Sequence, residues 1–394
     1  MFFIDKPYIS DFFKTTVRDH GIPIVATDIA KQSDLYSGTT IISENQAIAS
    51  AHSSEDLRIY TTSENAIGWI AKHFSFSDIP RKIELFKDKL QFRKMTESLY
   101  PDFFFKGVRV EELKALPLSE IPVPFIIKPT IGFFSMGVYK VSTSEEWLQT
   151  VVSILAETDQ IKDLYPEEVL DTSSFIIEQC INGEEFAIDA YYNATGEPVI
   201  LSIFKHIFSS DTDVSDRIYT TSKEIIENNL EEFTDFVEKI GRLSGVKNFP
   251  VHIELRREKD RSLLPIEVNP MRFGGWCSTA DMSFHAYGFN PYLYYYSQKK
   301  PDWHEALQGK EGKLFSLVVL DNSTGRGSDE ITSFDYKKLL SHFEKPIELR
   351  KIDYKKYPVF GFLFVETREN NFIELANILN SDLNEFISIK STND

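Results

Sequence analysis

The segment from Val251 to Arg272, VHIELRREKDRSLLPIEVNPMR, constrains this chain more than any other, because strict alternation on both sides of a turn reads as a β-hairpin. Side chains alternate faces along a strand, so Val251, Ile253 and Leu255 form an apolar set while His252, Glu254 and Arg256 form a polar one. The return run repeats the pattern. Leu264, Ile266 and Val268 are apolar, Glu267 and Asn269 point the other way, and Lys259-Asp260-Arg261-Ser262 supplies the turn. Centring that turn between Asp260 and Arg261 sets Glu254 opposite Glu267, and His252 opposite Asn269. Like charges directly across a ladder destabilise it by up to about 1 kcal/mol. A hard divalent cation held by oxygen ligands would compensate them, and magnesium takes one or two carboxylates together with phosphate oxygens. The competing reading is an amphipathic surface hairpin with solvated glutamates.

Further segments carry chemistry. After Asn269 comes Pro270-Met271-Arg272-Phe273-Gly274-Gly275, a guanidinium just past the candidate ligands and then a glycine pair where a backbone could approach a ligand. Upstream, Pro124-Phe125-Ile126-Ile127-Lys128-Pro129 is a short apolar strand ending in a lysine. It is followed by the loop Thr130 to Gly137, containing Ser135 and Met136, and by a second strand, Val138 to Val141. Such a loop offers backbone N–H groups to phosphate oxygens, and the lysine adds a point charge. Phe175-Ile176-Ile177-Glu178-Gln179-Cys180-Ile181-Asn182-Gly183-Glu184-Glu185-Phe186 is an apolar strand running into a linker, and Asp88-Lys89 lies within FKDKLQFRKM. Taken singly, each of these reads as readily as a hairpin loop, a core strand or a solvated helix lysine.

Taken in chain order from Asp88 to Arg272, the segments resemble the ATP-grasp superfamily, of the carboxylate-amine ligase type that includes carbamoyl phosphate synthetase and biotin carboxylase. The resemblance implies that Glu254, Glu267 and Asn269 bind the magnesium of MgATP, with manganese as the alternative metal, and that Arg272 meets the transferred phosphate. The usual Glu-x-Asn-Pro-Arg pattern is one residue shorter, Met271 being extra here. It implies Lys128 as the phosphate-binding lysine, with Ser135 and Met136 in the mobile loop that closes over the triphosphate. Lys89 corresponds to the first ATP lysine, and Lys87 is the neighbouring candidate. Glu178 is implied near the adenine amine, Cys180 and Ile181 at the hinge that receives adenine, and Glu185 as the acid binding ribose hydroxyls.

A chain of 394 residues is too long for one compact core. Short strand candidates at Met1 to Ile4, Ile22 to Ala26, Thr39 to Ile42 and Leu57 to Tyr60 alternate with helix-length segments, the signature of a small parallel α/β unit. The expected fold class is α/β and α+β in an ATP-grasp architecture. Residues 1–78 form the N-terminal parallel α/β domain, 79–144 and 145–311 the two ATP-grasp lobes, and 312–394 a small C-terminal α+β cap. In the cap, Lys313 to Leu320 and Val359 to Val365 read as strands, and Asn371 to Ile387 as a final helix.

Composition narrows the partners. With 43 Lys and Arg against 60 Asp and Glu, the net charge of −17 argues against nucleic acid, which needs a basic footprint. No apolar run reaches the roughly 18 residues that cross a bilayer, and the opening MFFIDKPYIS lacks signal-peptide architecture. Two cysteines give neither a disulfide framework nor a thiolate metal cluster. A cytoplasmic location is expected, with no membrane partner and a homodimer as the candidate assembly. The 32 phenylalanines and 17 tyrosines lie mostly in strand-like runs and read as core. Trp276 to Tyr296 directly follows the metal segment, where ATP-grasp ligases shape their acceptor pocket, although helix packing explains that stretch equally well. Of His206, His252 and His285, only His252 is placed beside the metal candidates. The resemblance implies an enzyme that activates a small-molecule carboxylate as an acyl phosphate and transfers it to an amine, amino acids or small peptides being the default substrates. Carboxyphosphate chemistry and a non-catalytic ATP-binding scaffold are the alternatives.

Overall fold

The computed structural model describes residues 1–54, 56–132, 137–161, 171–210 and 215–390. It divides into two compact units that do not follow chain order. The first comprises Met1–Gly183, Ala190–Val199 and Thr234–Cys277, and the second Glu184–Asp189, Ile200–Phe233 and Ser278–Asp394.

The first unit opens with four short parallel strands, β1 (Phe2–Phe3), β2 (Ile24–Val25), β3 (Ile41–Ile42) and β4 (Tyr60–Thr61), in the order β3-β2-β1-β4. The intervening helices start at side-chain caps that satisfy otherwise orphaned N–H groups. Ser10 accepts from the Phe13 N–H, Thr27 from that of Ala30, and Ser43 forms a capping box with Gln46. Winding reverses at β1, so the crevice where such sheets hold ligands lies beyond the carboxyl ends of β1 and β4. Glu64 stands there, in the 3₁₀ turn Glu64–Ala66 that follows β4.

Helices Ile79–Lys87 and Lys89–Thr96 meet at one residue. Asp88 closes the first with its N–H on the Glu84 carbonyl and caps the second by accepting from Leu90 and Gln91. Four antiparallel strands follow, β5 (Phe105–Arg109), β6 (Phe125–Ile131), β7 (Tyr139–Val141) and β8 (Asp171–Gln179), ordered β5-β8-β6-β7. One face packs Val108, Phe125, Ile127, Val141, Phe175 and Ile177 against the helix beginning at Trp147. Alternation therefore sends Lys128 and Glu178 to the opposite face. Because Ile126 pairs with Glu178 and Lys128 with Ile176, the two charged side chains are diagonal neighbours.

The chain continues through β9 (Glu184–Tyr192), β10 (Pro198–Ile207) and β11 (Ile218–Ser222), and the 22-residue helix Lys223–Ser244 leads to the hairpin β12 (Phe249–Arg257) and β13 (Leu263–Pro270) of the first unit. The second unit adds β14 (Lys313–Asp321), β15 (Ile331–Phe334), β16 (Pro346–Lys351), β17 (Val359–Arg368) and β18 (Ile387–Ile389). Its antiparallel strands run β10-β11-β14-β17-β16 over a core that includes Val318, Leu320, Leu363, Val365 and Leu375. The mixed α/β and α+β fold class is the one expected. The final helix is shorter than the sequence suggests, ending at Leu379, and Ile387–Ile389 is a strand paired with β15. Ser381 and Asp382 explain the difference: their side chains accept from the N–H groups of Leu383 and Asn384, a local alternative to helical bonding.

Candidate active site

The hairpin forms with the register the alternation dictates, Glu254 opposite Glu267 and His252 opposite Asn269. Nearer the turn the register slips, and Leu255 faces Pro265 rather than Ile266. Proline lacks the N–H that a ladder needs, which favours a bulge. The displaced Ile266 turns its carbonyl to the Lys128 ammonium at 3.5 Å.

Glu267 and Glu178 are each matched to a cation on another element. Lys89 Nζ lies 3.2 Å from Glu267 Oε2 and donates to the Gly132 carbonyl at 3.4 Å, while the Asn269 amide donates to Glu267 Oε1 at 3.0 Å. Glu178 gives one oxygen to Arg93 Nε at 2.6 Å and the other to Lys128 Nζ at 2.9 Å. Burial pushes the Glu178 and Glu267 carboxyls up, but the cations beside them prevail and hold both at about 2. Burial pushes Lys128 down, against the opposing pull of Glu178.

Glu64 makes a third such centre, one that sequence reasoning missed. Its Oε1 accepts from Arg272 Nε at 3.0 Å and Nη2 at 2.5 Å, and its Oε2 from Lys87 Nζ. The signal for it was positional, a carboxylate just past a parallel strand at the point where winding reverses. Lys87 and Lys89 thus serve different carboxylates, separated by the Asp88 joint. Met271 is accommodated by a left-handed turn (φ 66°), its carbonyl accepting from the Thr61 N–H at 2.8 Å. Arg272 consequently points to Glu64 and to the Phe273 carbonyl.

The buried carboxylates make acid stability a direct readout. In Glu64 burial opposes ionisation, but Lys87 and Arg272 hold it at about 2, as Arg93 and Lys128 do Glu178, against 4.5 for an ordinary glutamate. A folded-state value below the unfolded one contributes stability that is present above the unfolded value and lost as pH falls through the folded one, on the order of 3 kcal/mol per group. Calorimetry should find the melting temperature falling steeply between pH 4.5 and 2. A curve that stays flat to pH 3 would contradict these ion pairs.

The remaining candidates separate. Cys180 is half-buried, its thiol pushed up by burial. The Ile181 carbonyl accepts from Arg256 Nη1 at 2.6 Å, and the Asn182 N–H donates to Glu258 at 3.2 Å. Gly183 adopts φ 109°, and a Cβ there would lie 2.0 Å from the Arg257 carbonyl oxygen, so the linker requires glycine. Glu185 belongs to the second unit and faces His206 Nδ1 at 2.9 Å, with the Ser215 carbonyl 2.9 Å from Nε2. Two oxygen acceptors around one ring favour the imidazolium; burial lowers the His206 pKa, but these partners raise it above the ordinary value. His252 Nε2 lies 3.5 Å from Glu254, and His285 pairs with Glu348 at 2.8 Å. Ser135 and Met136 lie outside the described residues.

Hard oxygen donors converge on one face of the hairpin. Among the described residues no group of three or more His, Cys, Asp or Glu is placed to hold a metal. Glu254, Glu267 and Asn269 offer instead two carboxylates and an amide, and Asn269 directs its nitrogen to Glu267, leaving its carbonyl oxygen for a cation. That set suits magnesium completed by phosphate oxygens.

Residues 121–280 match the ATP-grasp domain family. The chain carries an ATP-grasp domain. Curated protein sequences return no match. Among solved structures, L-amino acid ligase from Bacillus licheniformis is 17% identical with a TM-score of 0.71, covering 100% of this chain and 98% of its own. N5-carboxyaminoimidazole ribonucleotide synthetase from Thermotoga maritima is 13% identical with a TM-score of 0.63, covering 99% of each chain. The biotin carboxylase domain of Hydrogenobacter thermophilus 2-oxoglutarate carboxylase, solved with MgADP and bicarbonate, is 13% identical with a TM-score of 0.59, covering 99% of this chain and 90% of its own. At these identities the likeness is one of fold. The ATP-grasp domain contains Lys128, Glu178, the hairpin carboxylates and Arg272, whereas Glu64, Lys87, Lys89 and Arg93 precede it. Among the described residues no helix is long and apolar enough to cross a membrane.

Proposed function

We propose that this chain is an ATP- and magnesium-dependent ligase that activates a carboxylate as an acyl phosphate and passes the acyl group to an amine. The observation that carries this reading is the charge of the cluster. Lys87, Lys89, Arg93, Lys128 and Arg272 stand against Glu64, Glu178, Glu254 and Glu267, an excess of positive charge where little water reaches. A triphosphate is the complementary ligand, since charge interactions strengthen as water is excluded.

In this reading Lys89 and Lys128 meet phosphate oxygens, and Arg272 stabilises charge on the transferred phosphoryl group and the acyl phosphate. Glu254, Glu267 and Asn269 would hold magnesium, which supplies charge neutralisation at the phosphates when bound. The Cys180 and Ile181 backbone receives adenine. The amine attacks without a covalent protein intermediate, so no activated serine or cysteine is required. Amino-acid or peptide-like substrates are supported by the whole-length likeness to an L-amino acid ligase. The free thiols of Cys180 and Cys277 suit a cytoplasmic enzyme.

A substrate panel of amino acids, hydroxy acids and dicarboxylates, scored for ADP release with and without an amine acceptor, tests the proposal. Release that requires both a carboxylate and an amine is the expected result. ATP binding without turnover on any mixture would make the chain a scaffold.

A further inference from the structure

Arg93 presents an anomaly: its charge belongs to the cluster, but the proposed chemistry gives its side chain no role of its own. It sits on helix Lys89–Thr96 with its side chain 2% exposed. Only Nε is engaged, on Glu178 Oε1 at 2.6 Å; Nη1 and Nη2 are buried and find no acceptor among the described residues. The Phe103 ring covers the guanidinium, its centroid 4.5 Å from the central carbon. Leaving two buried donors unsatisfied costs stability, so an apolar side chain of similar length would serve packing better. What distinguishes arginine here is the single bond from Nε.

That bond falls on the carboxylate that also holds Lys128. The Lys128 ammonium has three N–H donors; one is on Glu178 Oε2 at 2.9 Å and one makes the long 3.5 Å contact to the Ile266 carbonyl. A glutamate facing this lysine alone would turn both oxygens to it. With Arg93 on Oε1, the plane of the carboxylate is fixed and only Oε2 is left. Lys89 and Arg93 are four residues apart, so one helical face supplies both a cation to Glu267 and a cation to Glu178.

We propose that Arg93 is a positioning residue for Lys128: by occupying one oxygen of Glu178 it limits that carboxylate's hold on the lysine and keeps the ammonium available to a phosphate oxygen of the nucleotide. The inference rests on the reading of Lys128 as a phosphate-binding lysine. It makes helix Lys89–Thr96 the element that sets both lysines, one directly and one through Glu178.

The test measures dissociation constants for a non-hydrolysable MgATP analogue by calorimetry, with melting temperatures of the unliganded proteins alongside. Arg93→Met should weaken binding at least about tenfold, a Kd change a packing role would not produce, while the unliganded protein melts within a few degrees of the parent. Arg93→Lys, which keeps a cation beside Glu178, should return Kd to within about threefold of the parent. In a Glu178→Gln background Arg93→Met should add less than about twofold, because the carboxylate through which it acts is gone. Should Arg93→Met fail to fold, Arg93→Gln takes its place, with a weakening of roughly threefold expected. An unchanged Kd in the folded neutral variant, or effects that multiply independently with Glu178→Gln, overturns the proposal. Lys128→Ala separates the two levels. If it abolishes binding while the Arg93 variants do not, only the role of Arg93 falls; if the parent does not bind the analogue, or Lys128→Ala binds it normally, the nucleotide reading falls and the role of Arg93 with it.

Discussion

Lys128→Ala is expected to weaken MgATP binding and turnover by at least about tenfold, equivalent to roughly 1.4 kcal/mol, while leaving the unliganded protein folded. The ion-pair arrangement explains why the two effects separate. Glu178 also holds Arg93, so deleting the lysine does not strand a buried carboxylate, and the large penalty for an unpaired interior charge is avoided. The lost ammonium is a point charge in a water-poor site, where its attraction to a triphosphate exceeds that of an exposed lysine. Binding calorimetry and thermal melts on the same preparation decide the matter. A variant that keeps nucleotide affinity but melts much earlier would make Lys128 a structural partner of Glu178.

Glu267→Gln is expected to reduce magnesium-dependent ADP release by at least about a hundredfold, the scale seen when one preorganised charge-stabilising group is lost. Glutamine preserves the shape of the side chain and keeps an oxygen for the Lys89 ammonium, while the Asn269 amide can turn its own oxygen to the new NH2, so the hairpin should stay intact. What disappears is one of the two anionic oxygen donors on the polar face of the hairpin. Turnover measured across a magnesium series reads the outcome. Near-normal activity at ordinary magnesium would rule out Glu267 as a metal ligand.

The hairpin was legible in the sequence because strand alternation and a turn centre are local, and together they determine which residues oppose each other. The slip at Pro265 was not read, although a proline inside a strand is itself a reason to expect a bulge. Sequence left Lys87 and Lys89 as rivals. What separates them is Asp88, which ends one helix and starts the next, so that lysines two residues apart reach Glu64 and Glu267. Arg93 and Glu64 were missed for a different reason. Glu178 lies 85 residues from Arg93, and Lys87 and Arg272 lie 23 and 208 residues from Glu64, and neither residue stands in a pattern that announces such contacts. The N-terminal parallel strands and two strands of the C-terminal cap, β14 and β17, followed from apolar runs, while the shorter β15, β16 and β18 were not read; the last helix was overextended because Leu383 and Phe386 continue the apolar spacing after Ser381 and Asp382 have already turned the chain.

The position of Glu64 has a consequence for anyone wishing to excise or transplant the nucleotide-binding region. A fragment cut to the boundaries of the family match, residues 121–280, would carry Arg272 without the carboxylate that receives it, and Glu178 without Arg93. The smallest portable piece is set by electrical closure rather than by sequence likeness. It must begin early enough to include the strand that delivers Glu64 and the paired helices that deliver Lys87, Lys89 and Arg93. Chimaeras that exchange the N-terminal parallel unit for another would have to bring a carboxylate to the same place, or leave a guanidinium searching for one.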